Sequence, residues 1–135
     1  MSDTIHNLQL PGAQLTSIEQ DGDDRITLHF ALVQLIQEME GAFEDSLWTQ
    51  AIRMTLRDIE IDGELPACPC ELQGGELTNN IYTWRNQVPL PIRWRGDVGC
   101  KLVVAGSGAS CTIRANQLAV EQIDHPRYIK HIKKG

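Results

Sequence analysis

A chain of 135 residues with 12 basic and 18 acidic side chains is long enough for one domain with its own core and too short for several. Its 41% apolar and 22% charged content excludes a disordered chain, and no apolar run reaches the length a membrane helix needs. A net charge of −6 argues against broad binding to nucleic-acid phosphates.

Residues 1–12 read as a flexible leader closed by Pro11-Gly12. Leu15 to Gln20 is a short predicted strand, and Asp21-Gly-Asp-Asp24 is a hairpin turn because Asp-Gly tolerates positive φ. The same aspartates do not make an EF-hand loop, since the fifth ligand position is Arg25 and Gly22 is misplaced. From Arg25 the chain alternates, with Ile26, Leu28, Phe30 and Leu32 on one face and Arg25, Thr27 and His29 on the other. Leu32, Leu35, Ile36, Met39 and Phe43 also fit helical spacing, so residues 31–47 admit two readings. A strand bulging near Val33 is preferred, because Gly41 sits badly inside a helix.

Ile52 to Arg57 alternates without fault, and Asp58 to Asp62 alternates again with its parity shifted by one. One extra residue in a bulge flips the faces, so Trp48–Asp62 is expected to be one long bent strand with Arg53, Thr55 and Arg57 outward. Leu65 to Pro69 is irregular, Gln73-Gly-Gly75 is expected to turn, and Ile81 to Trp84 is a strand with Tyr82 and Trp84 on one face. Val88, Leu90, Ile92 and Trp94 share a parity. Pro89 and Pro91 make this stretch an edge. Cys100, Leu102 and Val104, then Cys111, Ile113 and Ala115, then Leu118, Val120 and Ile123 complete a meander around a Gly106–Ser110 tip. Residues 125–135 form a basic tail holding Arg127, Lys130, Lys133 and Lys134 and no acid, so the other residues carry ten net negative charges.

The expected fold is therefore mainly β, a single-domain antiparallel β-sandwich or small β-barrel over 13–124, with at most one or two short helices. No basic region followed by an apolar stretch opens the chain, and four cysteines without a disulfide pattern suit a reducing compartment, so the expected location is cytoplasmic.

Chemistry-bearing patterns are few. Cys68-Pro-Cys70 has thiol ligands but neither the C-x-x-C spacing nor a second pair, so no metal site and no cofactor is expected. The carboxylates Asp58, Glu60 and Asp62 lie on a polar face, and no serine or cysteine is tied to His29 by a motif, so no catalytic residue is named. The one recognition-like patch is Trp84, Arg85, Arg93 and Arg95, where aromatic faces and arginine forks interleave. The parity of Trp94 sends it to the core and leaves Arg93 and Arg95 in solvent.

These features predict a non-catalytic interaction domain that binds a protein partner or forms a homodimer, through a sheet edge or the arginine-bearing face. The alternative is a small-molecule-binding protein or enzyme, with a pocket in a barrel or at a sheet end lined by Trp48, Trp84 or Trp94. Binding of single-stranded nucleic acid through Trp84, Arg85, Arg93 and Arg95 is a third reading, disfavoured by the acidic body.

Overall fold

The computed structural model describes residues 4–39, 41 and 43–133. They form ten strands: β1 (Thr4–Asp21), β2 (Arg25–Met39), β3 (Glu44–Arg57), β4 (Glu60–Asp62), β5 (Cys70–Asn79), β6 (Tyr82–Arg85), β7 (Gln87–Pro89), β8 (Arg93–Val104), β9 (Ser110–Gln122) and β10 (Arg127–Lys133). Among the described residues there is no helix, and so none long and apolar enough to cross a membrane.

Antiparallel ladders run β1–β2, β2–β3, β3–β9, β9–β8, β8–β5 and back from β5 to β1. The sheet closes on itself as a six-stranded antiparallel barrel with extra strands. Of the two expected architectures it is the barrel, and closure removes the free edges of those six strands over that ring. Leu8, Leu10, Leu15, Ile26, Leu28, Ile52, Met54, Leu56, Leu102 and Ile113 fill the interior from alternate positions.

Closure between β1 and β5 is short: Gln14 faces Glu71 and Leu15 faces Cys70. Further along, those strands part and β6 and β7 fill the gap, β6 pairing with β5 and β7 with β1. Asn86, at φ +65°, makes the transfer. Its N–H donates to the Gly75 carbonyl at 2.9 Å, its carbonyl accepts from Leu10 N–H at 2.7 Å, and its Oδ1 accepts from Gly75 N–H at 3.1 Å.

Residues 31–39 are strand, as preferred. The bulge falls at Ala31-Leu32, where the register with β3 steps from Phe30↔Ile52 to Val33↔Gln50. Ile26, Leu28 and Phe30 are buried before it, and Val33 and Leu35 after it.

Several expectations are corrected. The stretch expected as a leader is strand from Thr4 onward, since its first half pairs with Gln34–Met39 and Leu8 and Leu10 enter the core. The tail expected over 125–135 is β10 from Arg127 to Lys133, laid on the first half of β3. The long strand expected over Trp48–Asp62 starts earlier, at Glu44, and is interrupted at Asp58, whose φ is +56°. Gln73–Gly75 is not a turn but lies inside β5, beside a register shift between Leu72 and Gly74. The glycines serve close approach, because a Cβ on Gly75 would run into the Lys101 carbonyl and one on Gly74 into the Asn86 side chain. Ile123, expected inward, is exposed, because β9 ends at Gln122.

Beyond Ala51, β3 exchanges its neighbour β9 for β10. Gln50 bridges the change-over: its Oε1 accepts from Gln122 Nε2 at 2.8 Å, and its amide donates to the Asp124 carbonyl.

Candidate binding face

The outward positions of five neighbouring barrel strands fall into cross-strand rows. Asp21, Arg25, Arg57, Gln117 and Arg95 sit directly opposite one another across β1, β2, β3, β9 and β8. The next row is Glu19, Thr27, Thr55, Ala119 and Arg93, and the one after it Ser17, His29, Arg53 and Glu121. Side chains in such rows are within reach of each other, so the charges can be followed pair by pair.

Three basic side chains in these rows lie against a carboxylate. Arg25 pairs with Asp21, the Nε2 of His29 lies 3.1 Å from Glu19, and Arg53 holds Glu121 at 2.7 Å. Arg57, Arg93 and Arg95 are not matched. Among the described residues their guanidinium groups have no ion pair and no hydrogen bond. Together with Thr55, Trp94 and Gln117 they line a groove of about 320 Å³ over β3, β9 and β8.

Three like charges around one groove repel one another and together attract an anion. Guanidinium groups grip carboxylate or phosphate through paired hydrogen bonds. The strands beneath are central barrel strands, which holds the three Cα positions fixed and lowers the ordering cost of binding.

Trp94 keeps the inward parity expected of it and packs, partly buried, against the core. It lies on the inward row opposite the buried Leu118 and, being only partly buried itself, also borders the groove. Its ring stacks on that of Trp84, with centroids 4.9 Å apart and 25° between planes. Trp84 in turn meets Tyr82 at 6.0 Å. Such aromatic contacts hold a ring in one orientation.

The four residues singled out from sequence are thus divided. Arg93 and Arg95 are in the groove, and Trp84 stands behind it as the support of Trp94. Arg85 is elsewhere: it pairs with Glu76 at 2.9 Å and borders a separate hollow with Gly74, Gly75, Asn86 and Lys101. The sequence pattern marks Arg57 and Thr55 only as outward residues, and Gln117 not at all. Their parity was legible, but not that β9 would bring them beside β8.

Cys68 and Cys70 are partly buried, and burial, with each other's proximity for Cys68, pushes both thiols above their ordinary value. That favours the neutral thiol over the nucleophilic thiolate. The Cys68 thiol faces the Pro66 carbonyl at 3.7 Å, and no set of three or more His, Cys, Asp or Glu side chains is grouped to hold a metal among the described residues.

Comparison with known protein families, with curated proteins and with solved structures finds no match for this chain.

Proposed function

We propose that the protein is a non-catalytic interaction module that grips an acidic protein surface, on a partner or on a second copy, with the β3–β9–β8 face. The observation that carries this reading is the set of three unmatched arginines, Arg57, Arg93 and Arg95, around one groove on the outer face of the barrel. Of the two modes weighed from sequence, the face is favoured over a sheet edge. Edge strand β10 carries Arg127, Lys130 and Lys133 and a bulge at Ile129, β7 carries Pro89, and β4 is three residues long. Each of these features discourages added strands. The four free thiols support a reducing, cytoplasmic setting.

A second reading has some support from the groove itself. Its volume of about 320 Å³ is at the small end of ligand pockets, so a small anionic molecule is an alternative occupant.

The test is fluorescence anisotropy with a labelled glutamate-rich peptide at low and high salt, using wild type and Arg93→Glu/Arg95→Glu. Binding that weakens with salt and is lost in the double variant is expected. Binding indifferent to the reversal of these charges would remove the face from consideration.

A further inference from the structure

The face that holds the groove also carries its complement. β4 continues β3 along β9 without a change of register, Arg57 facing Gln117 and Glu60 facing Arg114. Immediately past Arg57, the chain therefore presents Asp58, Glu60 and Asp62, all exposed and alternating with the half-buried Ile59 and Ile61. Among the described residues none of these three carboxylates makes an ion pair, although Glu60 and Arg114 are register partners. Glu60 and Asp62 are two positions apart on one strand, and so are Arg93 and Arg95 on β8. Both charge pairs thus repeat at about 6.6–7 Å, twice the rise of a strand.

We infer that the acidic surface bound by this face is that of a second copy of the same chain. The Asp58–Asp62 stripe of each copy occupies the Arg57, Arg93 and Arg95 groove of the other. This rests on the interaction reading above and names its partner. Stripe and groove lie side by side on one run of strands, so a single two-fold axis makes both contacts at once, as an isologous interface requires. The β10 edge does not serve this purpose, because its bare cations would meet their own kind across a two-fold.

The experiment is light scattering after size exclusion on the full chain, with two charge-reversed variants, Arg93→Glu/Arg95→Glu and Glu60→Lys/Asp62→Lys. The wild type is expected to run at twice the monomer mass and to dissociate in high salt. Each variant alone places like charges at both contacts and is expected to be monomeric. Their equimolar mixture restores opposite charges at both contacts and is expected to recover the doubled mass, which also shows that both variants fold. A wild type that stays monomeric at millimolar concentration overturns the inference, as does a dimer that survives in either variant or a mixture that stays monomeric. If the wild type is monomeric yet still binds the glutamate-rich peptide through Arg93 and Arg95, only the identity of the partner fails. If it does neither, the interaction reading falls as well.

Discussion

Leu118 tests the placement of the inner and outer faces on β9. Cys111, Ile113 and Ala115 point inward, and unbroken alternation would send Gln117 and Ala119 inward after them. The structure reverses the parity at Asn116-Gln117, where β8 also steps register between Arg95 and Val98. Leu118 is consequently buried, opposite Leu56 and Trp94, and Gln117 belongs to the outer row. Leu118→Ala removes three carbons from the core, about 2.4 kcal/mol at ~0.8 kcal/mol per carbon. Incomplete closure of the remaining space brings the cost to about 3 kcal/mol. Gln117→Ala removes a partly exposed amide and should cost within about 0.5 kcal/mol. Urea denaturation measures both. At a slope of about 2 kcal/mol/M the Leu118→Ala midpoint should fall by about 1.5 M, with the slope unchanged. A larger loss for Gln117→Ala than for Leu118→Ala would refute the parity reversal, and with it the placement of Arg93, Arg95 and Arg57 on one face.

Two further outcomes follow from the interior. Gly75→Ala drives a Cβ into the Lys101 carbonyl and is expected to cost about 3 kcal/mol, whereas Gly99→Ala meets Thr78 at an ordinary 3.6 Å and should be near neutral by the same assay; equal costs would contradict the close β5–β8 approach. Burial, reinforced by nearby Cys111, pushes the Cys100 thiol from 9.0 up to about 12. Above pH 9 the unfolded chain therefore releases this proton while the native one keeps it. Stability contributed below pH 9 is lost as pH rises toward 12, by at most about 4 kcal/mol. Cys100→Ala should flatten that decline, and parallel pH profiles for variant and wild type would refute the assignment.

How much of this was legible in the sequence depended on whether a signal was local. Ile26, Leu28 and Phe30 announced their strand, and the step to Val33 and Leu35 announced a bulge. The helical look of Leu32, Leu35, Ile36 and Met39 arose because one inserted residue turns steps of two into steps of three. Asp58 likewise showed as a parity shift between Leu56 and Ile59, though not as a break with positive φ. Gly74-Gly75 resembled a turn because glycine permits both tight bends and close approach, and only the partner strand distinguishes them. Thr4–Leu10 resembled a leader because its polar residues hid the inward Leu8 and Leu10.

By itself the sequence determined which side of β2, β3, β8 and β9 is apolar, where most turns fall, and that Arg53, Thr55, Arg57, Arg93 and Arg95 face outward. These follow from a two-residue period that each strand expresses alone. Only the tertiary structure decided that the sheet closes, that β9 separates β3 from β8, and that Arg57 therefore shares a groove with Arg93 and Arg95. Strand neighbours are chosen by pairing across long stretches of chain, and no local pattern encodes that choice.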